Sequence, residues 1–281
     1  MNIVDKYGQL VQARAFIVDM DGVLWHGSQP LPGLREFFAA VRARAIPFLL
    51  MTNNASATPE SYVAKLKRME VEVSTKEILT SGLATARYLA ERYDPARTRV
   101  YAIGEEGLLG PLREAGFFLT ASHKEAKDFY ADLVVVGKDE TLTWDKLATA
   151  TLNLHAGAAF FATNADTTFP TELGITHGNG AILAALTAAT GMHPQVIGKP
   201  EPIMYQQALA QLGLPPQHVV AIGDRLETDI LGAVRAGIPS LLVLSGISRR
   251  EDLETVDYQP NWVLPDIRAL TEVLQAEGEY D

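Results

Sequence analysis

Asp19-Met20-Asp21-Gly22-Val23-Leu24 places two carboxylates one residue apart, directly after the apolar run Ala15-Phe16-Ile17-Val18. A short run of β-branched and aromatic residues predicts a buried strand. Carboxylates at the carboxyl end of such a strand face the crevice of an open α/β sheet, where ligands bind. Burying that much negative charge is costly unless a cation shares the site. The pair therefore suits a metal and a reaction with a carboxylate nucleophile. Taken alone, it equally suits a calcium loop, or two solvated acids before a turn glycine.

Three further signals sit where strands end or helices begin. Thr52-Asn53-Asn54 follows the apolar run 47–51, and Gly198-Lys199-Pro200 precedes a predicted helix. Gly223-Asp224-Arg225-Leu226-Glu227-Thr228-Asp229 follows the run 218–222. Each alone reads as a capping residue, a solvated lysine or a turn. Together their chemistry interlocks around a phosphate monoester, whose anionic oxygens repel a nucleophile. A divalent cation and a lysine lower that repulsion. Magnesium takes a few carboxylates, substrate oxygen and water, and Asp19, Asp21 and Asp224 can supply the carboxylates. Asp19 can attack phosphorus, while Asp21 protonates the leaving alkoxide and later deprotonates the hydrolytic water. Thr52 and the backbone amide of Asn53 can hold phosphoryl oxygens, and Lys199 can bridge nucleophile and phosphate.

The elements that must position these groups follow from periodicity. Strands are predicted at 15–18, 47–51, 100–103, 132–136, 158–163, 196–197, 218–222 and 240–244. Helices are predicted at 34–43, from Thr58-Pro59-Glu60 to about 69, at 75–93, 108–115, 144–155, 181–190, 203–212 and 228–236. The Thr-Pro-Glu triplet supplies an N-cap with proline at the first helical position. Strands alternating with helices argue for parallel sheets built from βαβ units. At 281 residues the chain suits two domains, or one domain with a large insertion.

Composition narrows the chemistry. Hydrophobic content of 47% and charged content of 21% are those of a globular protein. A formal charge of −10 argues against nucleic acid as the partner, since phosphate tracking needs a basic surface. Cysteine is absent, so disulfides, thiolate catalysis and Cys-ligated zinc are excluded. Residues 1–11 lack the apolar core of a signal peptide. The longest apolar segments, such as 181–189, are too short to span a bilayer. The expectation is a cytoplasmic enzyme that engages no membrane. His26, His123, His155, His177, His193 and His218 form no pair at ligand spacing on a predicted helix, which argues against a histidine metal site. Gly178-Asn179-Gly180 lacks the third glycine of a dinucleotide fingerprint and reads as a break between blocks.

The four motifs, in this order, resemble those of the haloacid dehalogenase superfamily of phosphatases. Asp19 through Trp25, Thr52-Asn53-Asn54 and Gly223 through Asp229 are similar to its NagD-like, class IIA branch of nitrophenyl, phosphoglycolate and pyridoxal phosphatases. Ala162-Thr163-Asn164-Ala165-Asp166 through Pro170-Thr171-Glu172 matches as well, with Ala165 where a proline is common. The resemblance implies an α/β fold: a doubly wound parallel-sheet, Rossmann-like core at 1–82 and 181–281, with an inserted α/β cap at 83–180. It implies Asp19 as nucleophile and Asp21 as acid/base. It implies Mg2+ held by Asp19, Asp224 and the carbonyl of Asp21, with Asp229 supporting the ligands from behind. Thr52, Asn53, Asn54 and Lys199 would bind the phosphoryl group. A loop carrying Asn164, Asp166 and Phe169 would hang over the aspartates, with Phe169 touching the leaving group and the two polar residues fixing the loop's shape.

The expected partner is a small phosphorylated metabolite, and the sequence leaves oligomeric state open, a homo-oligomer included. Two rival readings use similar residues. A phosphotransferase or phosphomutase on the same core would pass phosphate to an acceptor instead of water. A phospho-accepting signalling domain also uses aspartate, magnesium, threonine and lysine, but its acceptor lies later in a shorter chain, after an acidic pair on the first strand.

Overall fold

Four consecutive apolar residues make β1 (Ala15–Val18) buried on both faces, as a central parallel strand requires. A tight turn follows, then a two-residue hairpin of β2 (Trp25–His26) and β3 (Gln29–Pro30). The helix Leu34–Ala43 buries Leu34, Phe37, Phe38, Ala40 and Val41, one stripe at helical spacing. Phe38 meets Phe48 edge-on at 5.1 Å, seating that helix against β4 (Phe48–Thr52). The helix Pro59–Arg68 leads to β5 (Ile78–Thr80) and the helix Ser81–Ala90. This is the computed structural model of the chain, and it describes residues 7–8, 10–171 and 173–276. Glu172, part of the last motif match, lies outside the described residues.

The middle of the chain supplies β6 (Arg99–Ile103), β7 (Phe118–Leu119), β8 (Leu133–Val136) and β9 (Ala159–Ala162). It continues through the antiparallel hairpin β10 (Thr168–Thr171) and β11 (Gly174–His177) to β12 (Gln195–Val196). The final third contributes β13 (Val219–Gly223), β14 (Ser240–Val243) and β15 (Trp262–Leu264).

Two compact units result. One comprises 1–52, 63–79 and 199–281, and the other 53–62 and 80–198. A six-stranded sheet has the order β15-β14-β13-β1-β4-β5, with β1 parallel to both β13 and β4. Strand order therefore reverses at β1, and the ligand crevice of a doubly wound sheet opens at such a switch point. The residues just beyond β1, β4 and β13 are those the motifs singled out. The second unit is a five-stranded sheet, β12-β9-β8-β6-β7, whose registered pairs are all parallel. Its core packs Ile103, Val134, Val136 and Leu154 with Ile182 and Leu186 of the helix Asn179–Thr190.

Three expectations are corrected. The helix predicted over 75–93 is a 3-10 turn (Thr75–Glu77), then β5, then the helix Ser81–Ala90. The Thr80 side chain accepts from the Leu83 N–H at 3.1 Å and starts a new helix there. Leu79 and Leu83 share a helical spacing that hides this break from periodicity. The polar loop predicted from 164 ends at β10, because Gly174, at φ +123°, supports a turn that pairs Phe169 with Thr176. The helix predicted over 228–236 begins with a π-turn, Leu226–Ile230, before the short helix Leu231–Arg235.

Candidate active site

Asp19 follows β1, and its N–H donates to Ile222 O at 2.8 Å, extending the ladder one step past the strand. Lys199 sits at 3% exposure, its ammonium donating to Asp19 Oδ1 and Asp229 Oδ1, both at 2.6 Å. The peptide bond between Lys199 and Pro200 is cis. Asp229 is fixed from its other side, where Oδ2 accepts from the backbone N–H groups of Asp224 (3.2 Å) and Arg225 (3.0 Å). The π-turn makes this fold-back possible, with Asp229 N–H and Ile230 N–H both donating to Arg225 O. Behind Asp229, the buried hydroxyl of Tyr205 donates to its backbone carbonyl at 2.8 Å.

Asp224 is 1% exposed. Its Oδ2 accepts from Ile247 N–H at 2.7 Å, while buried Oδ1 has no hydrogen-bond partner. Two glycines let the chain approach this carboxylate. A Cβ at Gly22, where φ is +83°, would lie 2.7 Å from Asp224 Cγ, and one at Gly246 would run into the same group. The loop after β14 closes the surround: Ser248 N–H donates to Asp224 O at 3.0 Å and Ser245 Oγ to Gly22 O at 2.8 Å.

Asp19, Asp224 and Asp229 each present an oxygen within 4.8 Å of the others. With all three carboxylates ionised, one ammonium faces them, a formal excess of two negative charges in a buried site. Burial and the Asp229 charge push Asp224 up to about 7. Burial likewise raises Asp19 well above the carboxylate range, opposed by Lys199 and reinforced by Asp229 and Asp224. Burial alone would lower Lys199, but Asp19 and Asp229 outweigh it and hold the ammonium well above its ordinary value. A divalent cation removes the charge excess and gives Asp224 Oδ1 a partner, so the donor set fits a hard, oxygen-seeking metal such as Mg2+.

The other expected site residues separate by unit. Asp21 is exposed, its Oδ1 accepting from the Trp25 indole N–H at 2.8 Å, and its carboxylate stands outside the three-carboxylate group. Thr52 is buried at the end of β4. Asn54 already belongs to the second unit, where its Oδ1 accepts from Ser56 N–H (2.9 Å) and Ser56 Oγ (2.7 Å), which makes that side chain a turn-former. In the second unit Asn53 Nδ2 donates to both Asp166 oxygens, at 3.0 and 3.3 Å. Asn164 Nδ2 donates to Asn53 O at 2.8 Å, and Asn164 Oδ1 accepts from Asp166 N–H at 3.1 Å. Phe169 carries the Lys138 ammonium 4.3 Å from its ring centre. Sequence reasoning missed Tyr205 and the loop 245–248. A glycine closely following the predicted strand 240–244, at the same sheet edge as the motifs, was the available signal for the loop.

Comparisons with known proteins show the family. A haloacid dehalogenase-like hydrolase model matches residues 16–118, and a HAD-hydrolase-like model matches 196–270. An acid sugar phosphatase of Staphylococcus aureus is 38% identical over 256 residues, covering 91% of this chain and 96% of that protein. The 4-nitrophenylphosphatase of Thermotoga maritima superposes with a TM-score of 0.88 at 33% identity, covering 95% of this chain and 99% of that one. The glycerol phosphate phosphatase of Mycobacterium tuberculosis, solved in complex with magnesium, gives 0.85 at 34%, covering 94% and 78%. The chain belongs to the haloacid dehalogenase-like hydrolases, in the NagD-like branch its motifs pointed to.

Proposed function

We propose that this enzyme hydrolyses small-molecule phosphate monoesters through an aspartyl-phosphate on Asp19. The observation that carries the reading is Lys199 held between Asp19 and Asp229, beside the unpartnered oxygen of Asp224. Asp19, Asp224 and the Asp21 carbonyl would hold Mg2+, with Asp229 orienting Lys199 from behind. The cation, when bound, neutralises charge on the phosphoryl oxygens. Asp19 supplies the attacking oxygen, and Lys199 keeps that oxygen oriented and offsets charge as it bonds to phosphorus. Asp21 gives a proton to the departing alkoxide, then takes one from the water that cleaves the aspartyl-phosphate. Thr52 and the Asn53 backbone amide hold phosphoryl oxygens.

Residues 83–180 act as the cap that selects the substrate, with Asn164, Asp166 and Phe169 on its selecting loop. A metabolite fits the net charge of −10 better than a nucleic acid does. Among the described residues no helix is long and apolar enough to cross a membrane. The name of the Staphylococcus aureus relative makes sugar phosphates the first compounds to try. Phosphate release from a panel of sugar phosphates and 4-nitrophenyl phosphate should require Mg2+ and vanish in excess EDTA. Full activity in EDTA after metal-free preparation would remove the cation from the reading. Quantitative transfer to an added alcohol, without phosphate release, would favour the phosphotransferase alternative.

A further inference from the structure

Trp25 is wholly buried, although the hairpin it begins otherwise carries exposed residues. Its indole N–H donates to Asp21 Oδ1 at 2.8 Å. The intervening turn is locked by the backbone: Gly22 N–H donates to Trp25 O and Leu24 N–H to Met20 O, each at 2.8 Å. On the indole face, the ammonium of half-buried Lys65 lies 4.1 Å from the ring centre, a cation–π contact that adds to the ring's packing. An exposed carboxylate on a turn samples several rotamers. One of its oxygens anchored to a buried, packed indole does not, and Oδ2 is left as the oxygen for proton exchange.

We propose that Trp25 is a positioning residue for proton transfer: its indole N–H fixes the Asp21 carboxylate so that Oδ2 carries the proton in both half-reactions. The inference rests on the phosphatase reading above. In the first half-reaction the Asp19 oxygen bonds to phosphorus, the ester P–O bond breaks, and the Asp21 Oδ2 proton passes to the departing oxygen. In the second, water oxygen bonds to phosphorus, the Asp19 O–P bond breaks, and the water's proton returns to Asp21 Oδ2.

Trp25→Phe keeps an aromatic ring and removes the N–H. An alkyl phosphate needs its leaving oxygen protonated, whereas 4-nitrophenyl phosphate hardly does. We expect kcat/KM for a sugar phosphate to fall about 10- to 100-fold and that for 4-nitrophenyl phosphate to change less than about threefold. Added to Asp21→Asn, the same substitution should cost nothing more with the sugar phosphate, because Trp25 acts only through Asp21. Equal losses on both esters, or a full additional loss in the double variant, would overturn the proposal. If Trp25→Phe loses its cooperative thermal transition, β-(3-benzothienyl)alanine at position 25 keeps the indole shape without the N–H and is read in the same way. A wild-type enzyme that releases phosphate from neither ester overturns the phosphatase reading itself. A wild type active on both, with unselective losses in the variant, overturns only the role of Trp25.

Discussion

Two clusters of buried polar groups among the described residues end in opposite states. Around Asn53, in the second unit, amides answer carbonyls nearly one for one. Asn53 O accepts from Asn164 Nδ2 and Ser81 Oγ, and Asn179 Nδ2 donates to Asn164 O (2.7 Å) and Val136 O (3.3 Å). What stays open there is a neutral acceptor, Asn179 Oδ1. Around Lys199, in the first unit, the open atom belongs to a carboxylate, Asp224 Oδ1, and negative charge exceeds positive. A nearly closed network whose one open atom is a neutral amide oxygen specifies shape, and it is stable as it stands. An unbalanced buried charge is costly as it stands and becomes favourable only with a ligand. The first pattern belongs to architecture and the second to a site.

Breaking the charged cluster should have the largest effect. Asp19→Asn is expected to lower phosphate release by at least about 10⁴-fold and to abolish acid-stable phosphoryl labelling of the protein. Retained labelling would put the nucleophile elsewhere. Breaking the amide network should touch stability instead. Asn179→Ala leaves the carbonyls of Asn164 and Val136 without that donor, and we expect a loss of about 1–3 kcal/mol in denaturant unfolding. A loss below about 0.5 kcal/mol would mean that water replaces the amide.

The subtlest prediction sharpens the contrast by pH. The ordinary value for an aspartate is 3.8, and in the folded, metal-free protein Asp224 lies at about 7, with Asp19 raised as well. Between those values the folded state binds more protons than the unfolded one, so metal-free stability falls as pH rises from about 4 to about 7. Mg2+ should therefore raise the melting temperature more at pH 8 than at pH 5, where protons compete for the same oxygens. Equal increments at both pH values would place the ion away from these carboxylates.

Much of the fold was legible because the signals were strong where they mattered. The strand 15–18 is apolar throughout, and Asp19, Thr52 and Asp224 stand at or just beyond the ends of three strands adjacent in the sheet. Lys199 was legible through the glycine and proline that flank it. Other features left no such trace. The hairpin β10–β11 is short and polar, and its alternation is too brief to rise above loop chemistry. β15 and the helix Ile267–Ala276 follow Gln259-Pro260-Asn261, whose turn character conceals the last strand. By sequence Tyr205 is an ordinary core aromatic, and Trp25, which closes the first motif, suits core packing as well as a wall of the active-site mouth. Their hydroxyl and indole N–H acquire meaning only when tertiary packing sets them against Asp229 and Asp21.

The π-turn at Leu226–Ile230 bears on how this gene can vary. Each residue advances a helix by about 100°, so losing one position between Arg225 and Asp229 would swing the Asp229 carboxylate away from Lys199 and its own backbone clasp. Most surface segments tolerate a lost or gained codon. Here the count of residues is itself the inherited information: side chains such as Glu227, exposed on this turn, are free to drift, while an in-frame deletion is expected to be as damaging as the loss of the aspartate.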